Sequence, residues 1–253
     1  LAEDTEKDIR SGKSREGRRI FVLFSTDEGA NWTSPKEITA DVKRADWGWY
    51  ATGPGHAIQL LKGPHKGRLI VPCNHSVFQA NDNLWKDEAH VIYSDDGGES
   101  WTIGGSTSLG NESTAVQLRN GDILLNSRVI GVSKDISKGR RIAAISKDGG
   151  ESFGDSFYVD DLIEPRCEGS ILNYSRKGRL TKTLLFSNPK SLKRDNICIS
   201  ISKDNGKTWK TAHKIHQGPS AYSDMVILPN SSIAIIYEAG TTDPYEAIYF
   251  EIR

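Results

Sequence analysis

Hydrophobic residues along this chain fall in short runs, with no long helical periodicity. RRIFVLF (18–24), AHVIY (89–93), RIAAI (141–145) and NICISI (196–201) are rich in Val, Ile and Phe, and each runs straight into a polar turn. Between them lie HAIQLL and GRLIVPC, STAVQL and GDILLNSR, GSILNY and GRLTKTLLFS, SDMVILP and SIAIIYEAG, separated by Gly and Asn. Runs of this length, β-branched or alternating and bounded by turn residues, predict strands. No 11-residue window carries a 3.6-residue apolar spacing, so an all-β chain is expected.

The four turns share one pattern: STDEGANW (25–32), SDDGGESW (94–101), SKDGGESF (146–153) and SKDNGKTW (202–209). In each, an Asp can accept bonds from nearby backbone amides, and a Gly is free to take positive φ. Trp32, Trp101, Phe153 and Trp209 are expected to pack beneath the turns. The opening serines lie 69, 52 and 56 residues apart, the length of a supersecondary unit. Three or four strands per unit, repeated radially, describe the blade of a β-propeller. A two-sheet sandwich holds as many strands but gives no reason for the same turn in every unit.

With 253 residues the chain reads as a single domain, 1–253, in which 1–16 are loop or irregular. Its 33 basic and 33 acidic residues balance, so no broad positive field awaits nucleic acid. A small anionic ligand needs only a local cluster of Arg. No apolar run approaches the 18 or so residues of a membrane span. The start, LAEDTEKDIRSGK, is too polar for a signal peptide, and the compartment stays open. Cys73, Cys167 and Cys198 lack metal-ligand spacing and read as buried small hydrophobes. Asn31, Asn74, Asn111, Asn173 and Asn230 head N-x-[ST] sequons. Nucleotide loops, zinc motifs and serine-hydrolase elbows are missing, and no metal or cofactor is expected.

Five polar residues interrupt apolar strands at places that do not repeat between units: Glu112, Arg128, Arg194, Tyr222 and Glu238. Guanidinium forks bind a carboxylate bidentately, so an Arg pair can select an anionic ligand in a protein without net charge.

The repeated turn resembles the Asp-box of the sialidases. The likeness extends through WYATGPGHAIQL, GRLIVPCNHS, NESTAVQLRNGDILLNSR, LLFSNP and YSDMVILPNSSIAIIYEAG, and covers about residues 17 to 252. It implies a six-bladed propeller in which Asp27, Asp96, Asp148 and Asp204 are scaffold. It implies retaining exo-hydrolysis of terminal α-linked sialic acid from glycans, with Arg128 and Arg194 on the carboxylate, Tyr222 as nucleophile, Glu112 taking its proton and Glu238 orienting another Arg. The loop DWGWYATGPGH offers Asp46, Trp47, Trp49, Tyr50 and His56 as a sugar-facing wall or as a local cluster that holds a long loop. The family's F/Y-R-I-P motif and acid Asp have no match: Arg15 and Glu16 stand in that region, with Arg18 and Arg19 as strand-edge charges. About five blades are expected, and a ring of six needs further N-terminal strands. A binding propeller without turnover, or an inactive truncated sialidase, is the alternative. The sequence does not indicate an oligomeric state.

Overall fold

The computed structural model describes residues 8–9, 13–14, 16–79, 84–130, 139–175 and 178–253; Arg15 lies outside them. Among these residues the chain forms four antiparallel sheets of three or more strands and one two-stranded sheet, each drawn from one continuous stretch of sequence. The first joins β3 (Trp47–Thr52), β5 (Leu69–Gln79), β6 (Leu84–Ser94) and β7 (Thr102–Ser106), with β4 (Ile58–Gln59) added to β5. The second joins β8 (Ser113–Gln117), β9 (Ile123–Ser127), β10 (Arg140–Ser146) and β11 (Phe157–Ile163). β12 (Ser170–Asn173), β13 (Leu184–Pro189), β14 (Ile197–Ser202) and β15 (Lys210–Lys214) make the third, and β16 (Ser220–Ile227), β17 (Ile233–Ala239) and β18 (Ala247–Ile252) the last. The fifth unit read from the sequence is only a two-stranded pair, β1 (Phe21–Val22) with β2 (Lys36–Glu37). A one-turn helix, α1 (Thr39–Val42), follows it. Four residues are too few to show a helical period, which is why no helix was expected there.

Burial stacks the sheets in chain order, as blades of a propeller. Leu60, Ile70 and Val91 of the first sheet meet Ala115, Ile123 and Leu125 of the second. Val116, Leu124 and Leu162 of the second meet Ile171, Leu184, Phe186 and Trp209 of the third. Ile197 and Ile199 of the third meet Met225, Ile233, Ile235 and Tyr237 of the last. Removing such facing apolar surfaces from water drives the stacking, and it is why β8 and β9 are buried at every position. Cys73, Cys167 and Cys198 are free and buried in these layers.

Each repeated turn is tied by one set of bonds. Ser25, Ser94, Ser146 and Ser202 donate to Oδ1 of Asp27, Asp96, Asp148 and Asp204 at 2.7–2.9 Å. The same hydroxyls accept the amides of Gly29, Gly98, Gly150 and Gly206 at 2.8 Å, all four glycines having positive φ. Each Asp then accepts the amide four residues on. The bonds fit a role in locking one blade each. Trp32, Trp101 and Trp209 donate Nε1–H to the turn glycine carbonyl. One expectation fails: Trp32 is 61% exposed, because the β1–β2 pair has no full sheet to lay it against. Of the sequon residues, Asn74, Asn111 and Asn173 are buried.

Candidate active site

Strand register gathers the polar residues at one end of the blades. Ser113 pairs with Ser127, and Arg128 N–H donates to Glu112 O at 3.0 Å, so these two residues lie side by side. β10 runs antiparallel to β9, with Ile142 opposite Ser127 and Ser146 opposite Ile123, which puts the Asp148 turn at the far end from Arg128. In the third sheet Arg194 precedes β14 and the Asp204 turn follows it, giving the same separation. In the last sheet Ser220 pairs with Ala239 and Ser223 with Tyr237, so Ala221 and Tyr222 together oppose Glu238. Such a bulge re-aims a side chain, here the Tyr222 phenol.

The phenol meets Glu112. Tyr222 Oη donates to the carboxylate, lying 2.7 and 2.8 Å from its two oxygens. Arg128 Nη1 is 3.1 Å from Tyr222 Oη and 3.0 Å from Glu112 Oε2, and Arg128 Nε donates to Asn111 Oδ1 at 2.9 Å. Arg194 lies over the Tyr222 ring, its guanidinium carbon 5.4 Å from the centroid, and donates to Tyr245 Oη. Both guanidiniums also share one acceptor, the carbonyl of Arg166, at 3.4 Å from Arg128 and 3.1 Å from Arg194. One nitrogen of each guanidinium thus converges on the same oxygen. Burial and the hydrogen bond to Glu112 push the Tyr222 phenol well up, while Arg128 and Arg194 pull it down, leaving it neutral at physiological pH.

Arg166 sits in the turn between β11 and β12 with a φ of 59°. Buried groups hold that turn. Glu164 accepts Cys167 N–H at 2.8 Å and Val129 N–H at 3.4 Å. Arg141, wholly buried, donates to Cys167 O at 2.8 Å and to Asn126 Oδ1 at 2.7 Å. Burial raises Glu164 and lowers Arg141, and the attraction between them opposes both shifts. Sequence reasoning missed Asn111, Arg141, Glu164, Arg166 and Tyr245. The one usable signal was Arg141, a charge inside the apolar run RIAAI.

Glu238 accepts Tyr222 N–H at 3.1 Å and lines a cleft with Tyr222, Pro54, Glu168 and Asp224. His56 reaches the same cleft wall through Asp224, Nδ1 to Oδ1 at 2.7 Å. Burial pushes Asp224 up, but His56, Ser170 and the Met225 amide outweigh it and hold the carboxyl low. Of the two arrangements expected for this loop, Trp47 and Tyr50 adopt the local cluster. Trp47 and Tyr50 are 5% and 2% exposed, packed with Val42, Cys73 and Ile92, and Trp47 stacks on His75 with centroids 3.6 Å apart. A register shift between them in β3 turns both side chains into the core, so they form a cluster that holds the loop. Trp49 lies under the Arg18 guanidinium at 3.9 Å, and Asp46 lines a different cavity with His75, Glu88 and Glu151. Glu16 is exposed and its charge acts on Arg19, which is paired with Glu37. No group of three or more His, Cys, Asp or Glu is placed to hold a metal ion among the described residues.

Comparison with known proteins gives the family of the chain. The BNR repeat-like domain family matches residues 8–235. A sialidase of Micromonospora viridifaciens is 36% identical over 228 residues, 87% of this chain and 33% of that protein. The chain belongs to the sialidase family with BNR repeats. A Bacteroides fragilis sialidase is 30% identical, with 87% of this chain and 39% of that protein covered. The structure of the Hadza microbial sialidase Hz136 superposes with a TM-score of 0.74 at 26% identity, over 92% of this chain and 43% of the other. This sialidase-family chain thus spans about a third of the length of the two curated relatives.

Proposed function

We propose that this protein is a retaining exo-α-sialidase acting on terminal α-linked sialic acid of glycans. The observation that carries the reading is the Tyr222–Glu112 hydrogen bond beside Arg128. A phenol is a poor nucleophile near neutral pH, and a carboxylate in contact with its oxygen supplies the base it needs. A neutral phenol also approaches an anomeric carbon bearing a carboxylate without the repulsion that an Asp or Glu nucleophile meets.

In this mechanism Arg128 and Arg194 take the sugar carboxylate in place of the shared Arg166 carbonyl. Tyr222 Oη forms a bond to the anomeric carbon as its proton passes to Glu112, and the glycosidic bond breaks with its electron pair on the leaving oxygen, which takes a proton from solvent water. Water then attacks the same carbon and gives up one proton to solvent, while Tyr222 leaves and recovers its proton from Glu112. Two inversions give retention. Glu238 orients a further guanidinium on the carboxylate, as the family resemblance implies. The ring is proposed to hold six blades, the four full sheets being part of it.

The test compares an aryl sialoside, whose leaving group needs no acid, with sialyl-lactose, in the wild type and in Tyr222→Phe. Cleavage by the wild type and loss in the variant is expected. Binding of sialic acid without cleavage of either substrate would make the protein a glycan-binding propeller instead.

A further inference from the structure

Glu168 lies two residues beyond the Arg166 carbonyl that both clamp arginines share, and the mechanism above does not use it. It is 3% exposed. Its Oε2 accepts the amide of Ser223, the residue after Tyr222, at 3.0 Å. Its Oε1 is buried without a hydrogen-bond partner and faces the Gly55 backbone, where an added Cβ would stand 3.5 Å away. An ionised carboxylate with an unpaired buried oxygen is costly, whereas a carboxylic acid with its proton on that oxygen is not. Three charged groups face it from different elements: Arg141 of β10, Asp224 of β16, and Glu112 ahead of β8. Asp224 is itself joined to His56 of the segment after β3.

We propose that Glu168 is a positioning residue that governs how tightly the site holds an anionic sugar, a role that rests on the sialidase reading. Uncharged, it anchors the backbone of Tyr222 and leaves the two guanidiniums free to act on the ligand carboxylate. Ionised, it sets a second negative charge beside Glu112 and beneath the clamp, which repels that carboxylate. Its environment favours the neutral form. Burial pushes the group up, the Ser223 amide and Arg141 pull it down, and Asp224 and Glu112 raise it again, to about 8. Asp224, close by, is held low, so two neighbouring carboxyls are driven to opposite protonation states, a pattern found where they have different tasks.

The experiment measures binding of a non-hydrolysable thio-sialoside by calorimetry from pH 6 to 9.5, with the full chain as wild type and as Glu168→Gln. Wild-type affinity is expected to fall roughly tenfold above pH 8, the scale of one added like charge at partly screened range. Glu168→Gln, with a neutral amide of the same shape, should stay flat. On the aryl sialoside the alkaline loss should sit in KM, with kcat of both proteins changing in parallel. The same fall in the variant, or no fall in the wild type, overturns the role of Glu168. Absence of binding at every pH would instead overturn the sialidase reading itself. If Glu168→Gln does not fold, infrared titration of the wild type decides: loss of a protonated buried carboxyl near pH 8, in step with affinity, supports the proposal, and a carboxyl already ionised at pH 6 overturns it.

Discussion

Tyr222 and Glu112 stand in contact although 110 positions separate them in the chain. Removing the phenolic oxygen should abolish attack while leaving the guanidinium clamp intact. Tyr222→Phe and Glu112→Gln are expected to lower kcat by roughly 10²–10⁴-fold, the usual worth of a positioned proton-transfer group, with little change in affinity for sialic acid. Initial-rate kinetics beside calorimetry check both halves. Glu168 has a stability consequence too. Its folded value near 8 lies above the ordinary 4.5, so its contribution is fully present below pH 4.5 and lost as pH climbs to about 8. Glu168→Gln should therefore gain stability over the wild type as pH rises from 5 to 9, read as a widening gap in Tm. The residues legible in the sequence were polar ones breaking apolar runs, as Arg128 does after GDILLNS and Glu238 does in IIYEAG. Trp47 and Tyr50 were expected either to face a sugar or to hold the loop as a cluster, and the sequence did not choose because a Gly-rich aromatic stretch does not reveal which way its side chains point. Asn111 was hidden inside a sequon, and Glu164 acts only through tertiary contacts with Val129 and Cys167 amides.

At the scale of an element, the repeated turn gives a clean separation of stability from chemistry. Asp148 gathers the Ser146 hydroxyl, the Ser152 amide and the Ser152 hydroxyl, at the end of β10 remote from Arg128. Asp148→Ala is expected to cost roughly 1–3 kcal/mol of folding free energy. Sialoside affinity should not change. Denaturant unfolding and calorimetry on one preparation test the pair of outcomes, and lost affinity at full stability would contradict the placement. Turns and strands were readable because Asp, Gly and β-branched residues carry local instructions. The bulge at Ala221 and Tyr222 was not, since a strand's sequence does not state its register against a partner.

The whole molecule shows an asymmetry between its blades. The inner layers are covered on both faces, but the last sheet presents Val226, Ile236, Ile248, Phe250 and Ile252 to solvent, each 47–72% exposed. Cross-strand pairing puts Ile236 beside Phe250 and Ala234 beside Ile252, so the residues form one apolar face. A patch of this kind marks a surface built to be covered. The six-blade reading predicts that a further blade covers it. Phe250→Asp should then lower the Tm by several degrees, whereas an open face would accept the charge with little change. Turn spacing made blade-sized units legible, but about five blades were expected and four full sheets form among the described residues, because RRIFVLF pairs over only two residues.

The central claim is a covalent bond between Tyr222 and the sugar, and the most direct measurement traps it. A fluorinated sialosyl fluoride forms the glycosyl-enzyme readily and releases it slowly, so intact mass followed by peptide mapping locates the attachment. The prediction is one sialosyl adduct, on the peptide containing Tyr222, absent in Tyr222→Phe. Turnover of the aryl sialoside with no adduct, or with the adduct on another residue, would contradict the account.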